Sequence, residues 1–116
     1  MIRIKRVYEE PAKDDGYRIL VDRLWPRGLT KERAKVDLWM KEIAPSDALR
    51  KWFGHEAEKW VEFAKRYGVE LRKKKDLLKE VKRLEREHGT VTLVYGRNDE
   101  KQNQAVLIAA VLKGKK

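Results

Sequence analysis

Residues 105–112 read Ala-Val-Leu-Ile-Ala-Ala-Val-Leu, apolar on every side, in a chain where 41% of the residues are charged. A helix that is apolar all round has no face to give to water, so the rest of the fold must enclose it. The run is eight residues long, and a membrane span takes about 20. The enclosing material is therefore expected to be protein, not lipid. Just upstream, residues 90–95, Thr-Val-Thr-Leu-Val-Tyr, have the β-branched character of a strand. A strand leading into a buried helix points to a layered α/β sheet.

The remaining segments fit that frame. Ile2, Ile4 and Val7 alternate loosely with charged residues, as in a half-buried strand. Residues 9–16 end in Asp-Gly and read as a turn. Residues 17–24, with Ile19, Leu20 and Val21 at their centre, predict a second strand covered on both faces, stopped by Pro26 and Gly28. Thr30 suits the cap of a short helical turn, and residues 36–40 suggest a third strand. Pro45 and Ser46 open a helix that turns Leu49, Trp52 and Phe53 inward and ends at Gly54. Ala57, Trp60, Val61, Ala64, Tyr67 and Leu71 recur at helical spacing, with a break expected at Gly68. Leu77, Leu78, Val81 and Leu84 repeat the pattern up to Gly89. Asp99 with Gln102 resembles a capping box for the last helix. The order predicts an α/β fold: one compact domain over residues 1–116, with a mostly parallel central sheet flanked by helices.

The chain has no cysteine, which excludes disulfides, thiolate metal sites and a cysteine nucleophile. That composition fits a reducing compartment. The opening Met-Ile-Arg-Ile-Lys-Arg lacks the apolar stretch of a signal peptide, so a cytoplasmic location is expected. Abundant lysine and glutamate beside few amides is the bias of heat-adapted proteins. The formal net charge is +10, and most of the surplus falls in residues 72–86 and the tail 113–116. A field so lopsided draws polyanions without conferring specificity.

In such sheets ligands sit beyond the carboxyl ends of the strands. Two loops hold that position, residues 22–30 and 96–102. In the first, Asp22-Arg23-Leu24-Trp25-Pro26-Arg27-Gly28, Arg23 and Arg27 offer guanidinium forks suited to carboxylate or phosphate. Asp22 would orient an arginine or act as a base, and Trp25 offers a flat face. The other reading is a structural corner, with Trp25 in the core and Asp22 paired to an arginine. In the second loop, Tyr95, Asn98 and Asn103 offer hydrogen bonds to a polar ligand, and loop and cap chemistry is their alternative use. No glycine-rich phosphate loop is present. His55 and His88 are too far apart in sequence for metal-ligand spacing. His55 suits either a general base or a cap, and His88 suits a helix C-terminus. No metal and no cofactor is called for.

The basic helix over residues 72–86 offers a second kind of partner. Lys75, Lys79 and Arg83 would contact the phosphate backbone of a nucleic acid. The segment lacks the interleaved aromatics of single-strand binders, and a solvated face on a heat-adapted helix is the preferred account of its charge. A third possibility is a non-catalytic interaction domain, which exposed tryptophans among Trp25, Trp39, Trp52 and Trp60 would favour.

Residues 15–28, Asp-Gly-Tyr-Arg-Ile-Leu-Val-Asp-Arg-Leu-Trp-Pro-Arg-Gly, resemble a signature of the YeaO-like branch of domain-of-unknown-function family 488. The likeness continues at residues 41–46 and 49–53, and at Thr92-Leu93-Val94-Tyr95 followed by Asn103-Gln104-Ala105. It spans nearly the whole chain in order. The resemblance implies a compact α/β fold in bacterial and archaeal cytoplasm. It marks Asp22, Arg23, Trp25, Pro26, Arg27, Gly28, Tyr95 and Asn103 as signature positions and supplies no reaction.

Overall fold

The computed structural model describes residues 1–114. Its central strand is β4 (Val91–Tyr95), buried at every residue. Strand β4 pairs with β1 (Ile2–Arg6) on one side and with β2 (Tyr17–Leu20) on the other, while β3 (Leu38–Trp39) extends the sheet beyond β2. The sheet order is β1-β4-β2-β3, and every pairing is parallel. The sequence anticipated this sheet, though as mostly parallel.

Alternation along the strands divides the core in two. Val91, Leu93 and Tyr95 face the larger cluster together with Ile19 and Val21. The helices α2 (Asp47–Phe53), α3 (Trp60–Arg72), α4 (Lys75–His88) and α5 (Gln104–Leu112) complete that cluster through Phe53, Phe63, Tyr67, Val81 and Ile108. The apolar run in α5 packs on β1 and β4 through Ala105, Ile108, Ala109 and Leu112, but Val106, Leu107 and Ala110 are half-buried and Val111 is exposed, so the run is enclosed on one face and not all round. The opposite face carries a smaller cluster of Val7, Leu20, Ala34 and Val94. Its cover is a loop with one short helix, α1 (Lys31–Ala34), and the side chains of Trp25, Leu29, Val36 and Trp39.

Toward the amino ends of the strands this second face turns polar. Arg18 and Asp15 are both buried, and their charged atoms lie 2.6 Å apart. Arg18 also donates to the carbonyls of Ala34 and Lys35, and Thr92 Oγ1 donates to the Asp15 carbonyl at 2.6 Å. Burial opposes ionisation of Asp15, but the Ala12 N–H, Lys5 and Arg18 outweigh it and hold the carboxyl below its usual range. A buried pair stands only when its remaining hydrogen-bonding capacity is met, and here the backbone meets it. The knot ties the turn before β2 to α1 and to β4.

Four local expectations need correction. Strand β2 ends at Leu20, not at residue 24, because the chain keeps one more ladder bond (Val21 N–H to the Val94 carbonyl, 3.0 Å) and then turns out to form the loop. Strand β3 has two residues instead of five. Gly68 does not break α3, which runs on to Arg72 after a 3-10 turn at Ala57–Lys59; one glycine costs a helix only about 1 kcal/mol. Helix α5 is capped by Asn103, whose side chain accepts the Val106 N–H at 3.0 Å. Asp99 instead turns its carboxylate onto the Lys101 and Gln102 N–H groups, so Asp99 and Gln102 form no capping box. Among the described residues, no helix is long and apolar enough to cross a membrane.

Candidate functional site

Strands β2 and β4 are parallel neighbours, so the loops that follow them leave the same end of the sheet side by side. Helix α2 and the turn after it face these loops, and a cavity of about 540 Å³ opens between them. Asp22 stands where β2 gives way to its loop. Its Oδ2 accepts the Gly96 N–H at 2.9 Å, and its Oδ1 accepts the Gln104 side-chain amide at 2.5 Å. The carboxylate thus stitches the two strand ends to each other and to the first residue of α5. Gly96 permits this approach, since a Cβ there would lie 2.8 Å from Asp22 Oδ2. Burial raises the Asp22 pKa to about 6, and the two amide donors offset it only in part. Asp22 is thus held by neutral amides and not, as the structural-corner reading had it, by an arginine.

Arg23 works as a latch. Its Nη2 donates to the carbonyls of Ala44 (3.1 Å) and Pro45 (3.4 Å), and its Nη1 lies 3.4 Å from the Glu42 carboxylate. Its Nε is closed off from solvent without a hydrogen-bond partner among the described residues. The Trp25 indole N–H bonds the Leu29 carbonyl at 2.6 Å, and its ring meets Trp39 edge-on at 5.5 Å. The tryptophan therefore borders the cavity while its ring is braced by the smaller core. Arg27 is exposed, and its carbonyl receives the Tyr8 hydroxyl at 2.8 Å.

Asp22, Arg23, Trp25 and Arg27 thus meet around one cavity. Tyr95, Asn98 and Asn103 are not part of its wall. Tyr95 is buried in the sheet. Asn98 accepts from Arg6 at 2.8 Å, farther out on the loop. Asn103 is buried as the cap of α5. The second loop and α5 contribute Gly96, Arg97 and Gln104 in their place.

Sequence reasoning missed Arg50, Lys51 and Arg97, which bring the cationic side chains around the cavity to five with Arg23 and Arg27. Asp22 is the one carboxylate among the lining residues. The Arg97 guanidinium lies over the Phe53 ring, 4.6 Å from its centre, and Phe63, Pro26 and Pro45 extend the apolar wall. His55 reaches the same rim from a backbone with φ of +70°, whereas His88 stacks on Tyr17 at 4.4 Å, at the end of α4.

Lys75, Lys79 and Arg83 all lie on α4, away from the cavity wall. Arg83 is engaged by Glu80 at 2.8 Å and Glu87 at 2.6 Å. Lys115 and Lys116, the end of the basic tail, lie outside the described residues. All four tryptophans are half-buried.

The family described as the inactive DUF488-N3 subclade matches residues 1–115. The uncharacterized protein Rv3073c of Mycobacterium tuberculosis is 40% identical over 114 residues, which cover 98% of this chain and 95% of that protein. The uncharacterized protein YeaO of Escherichia coli is 41% identical over 108 residues, 93% of each chain. No solved structure matches.

Proposed function

The chain belongs to the DUF488 family, in the branch described as the inactive DUF488-N3 subclade, and from that premise we propose that its cleft binds a small anionic ligand without turning it over. The observation that carries this reading is the convergence of Arg23, Arg27, Arg50, Lys51 and Arg97 on one cavity that holds a single carboxylate. Arginine forks suit phosphate and carboxylate oxygens. A concave wall of low dielectric strengthens their pull and raises the local concentration of anions. The cavity, about 540 Å³, lies within the roughly 300–1,000 Å³ of small-molecule sites. A subclade described as inactive supports binding over catalysis. Arg27, Arg50, Lys51 and Arg97 would hold the anion. Arg23 would mainly keep the loop in place, since most of its guanidinium is already engaged. Tyr95 and Asn103 would act behind the site, through the sheet and the cap of α5.

The nucleic-acid reading has less support. Of its three named residues, Arg83 is held by two glutamates, and Lys75 and Lys79 remain exposed without an aromatic platform beside them in the sequence. An interaction domain anchored by tryptophan is weakened because none of the four is among the exposed large apolar residues.

The test is calorimetric titration with inorganic pyrophosphate. Arg27→Ala and Arg97→Ala should fold as the parent does and should each bind about tenfold more weakly or worse, the usual loss when a hydrogen bond to a charged group is removed. Parental affinity in both variants would refute the proposal.

A further inference from the structure

Resting on that anion reading, we infer that the ligand is a free nucleoside monophosphate and that Asp22 reads the hydroxyls of its sugar. The starting point is an anomaly of charge. A pocket made for a bare oxyanion gains nothing from a carboxylate in its wall, because like charges repel most strongly where water is scarce. Yet Asp22 borders the cavity, half-buried, and its two assigned hydrogen bonds come from uncharged amides. An ionised carboxylate has about four acceptor positions, and Gly96 and Gln104 take two of them. A ligand that brings a hydroxyl donor to this point turns the carboxylate from an obstacle into a partner.

Size and surface narrow the class. A lone phosphate would leave most of the roughly 540 Å³ vacant. Phe63, Pro26 and Trp25 form apolar wall beside the cationic rim, which calls for a ligand with a flat apolar part as well as an anionic one. A phosphate, a hydroxylated ring and a flat heterocycle within one small molecule describe a nucleoside monophosphate. The Gly96 N–H and the Gln104 amide favour the ionised, accepting form of Asp22, in part against burial.

The experiment is calorimetric titration of the purified full chain with three compounds: adenosine monophosphate, its 2′,3′-dideoxy counterpart and inorganic pyrophosphate. The parent protein should bind the hydroxylated nucleotide about tenfold more tightly than the dideoxy compound, the loss expected when a charged acceptor is left without its donor. Asp22→Asn should abolish that preference while retaining pyrophosphate. In this variant the amide oxygen can still accept the Gly96 N–H, while the contact to Gln104, whose amide also donates to the Val21 carbonyl at 3.3 Å, is weakened. Equal affinity of the parent for the two nucleotides, with pyrophosphate bound, overturns the inference and leaves the anion site standing. A preference that survives in Asp22→Asn also overturns it. Binding of none of the three compounds removes the anion reading itself. A 5′-phosphorylated dinucleotide that competes more than tenfold better than the mononucleotide assigns the site to a nucleic-acid end and overturns the free-nucleotide assignment. The comparison of ligands on the parent protein decides the matter even if the variant does not fold.

Discussion

Asp22 shows how one side chain links the stability of this fold to pH. Its carboxyl titrates at about 6 in the folded chain against an ordinary value of 3.8. The folded state therefore holds the proton more tightly than the unfolded state does. The resulting stabilisation is complete below about 3.8 and is lost as pH rises through about 6. At roughly 1.4 kcal/mol per pKa unit, the ionised residue costs the neutral-pH protein up to about 3 kcal/mol. Asp22→Asn should accordingly be more stable than the parent at pH 7.5, by up to about 3 kcal/mol, with the advantage shrinking toward pH 4. Urea unfolding at the two pH values measures this directly, and a parent that is the more stable at pH 7.5 would contradict the account. Gly16 illustrates a different constraint at the same scale. Its backbone lies at φ 66° and ψ −135°, and an added Cβ would sit 2.3 Å from the Thr90 carbonyl oxygen. Neither backbone conformation nor space admits a side chain. Gly16→Ala should cost roughly 3 kcal/mol or more, the sum of backbone strain and overpacking, read as a fall in thermal midpoint.

Among the elements, those with the strongest periodicity were the most legible. Helix α5 announced itself because eight consecutive apolar residues leave no polar face. Helices α3 and α4 did so because Trp60, Ala64, Tyr67 and Leu71, then Leu77, Val81 and Leu84, recur at helical spacing, although Phe63, and not the exposed Val61, completes the buried face of α3. Strand ends were less legible, because residues 21–24 keep strand-like composition while the chain has already turned to build the cleft. The cap of α5 was misplaced for a related reason. Asp99 and Asn103 both have short side chains suited to the role, and only the backbone path decides that Asn103 faces the helix start. Asn103→Ala should cost about 1 kcal/mol and weaken the hold on the loop, since the same side chain donates to the Asp99 carbonyl at 2.9 Å. Equilibrium unfolding would show this, and a neutral result would argue against the cap. The cleft was half legible. Asp22, Arg23, Trp25 and Arg27 form one contiguous stretch and could be named together. Arg50, Lys51 and Arg97 reach the cleft from other elements, and periodicity reveals only which face of α2 packs inward, not what its outer residues meet.

On the scale of the whole molecule, the two faces of the sheet divide the labour. The four longer helices gather with the larger core on one side, leaving the other to a loop, one short helix and a polar knot. The cleft opens where the two strand-end loops meet α2, so its geometry depends on the sheet more than on any single loop. The strand order then has a consequence for how the protein comes into being. Ile2 lies opposite Val91, and Tyr17 lies opposite the same valine from the other side. Two early strands thus share a late neighbour and do not pair with each other. During synthesis on the ribosome, β1 and the β4-facing edge of β2, whose other edge can pair with β3, must wait exposed to other chains until residue 95 has emerged. Helices α3 and α4, whose contacts are more local, can form in that interval. The sheet then closes around β4 in one late, non-local step, the kind that slows folding, and the cleft takes shape only as that step completes.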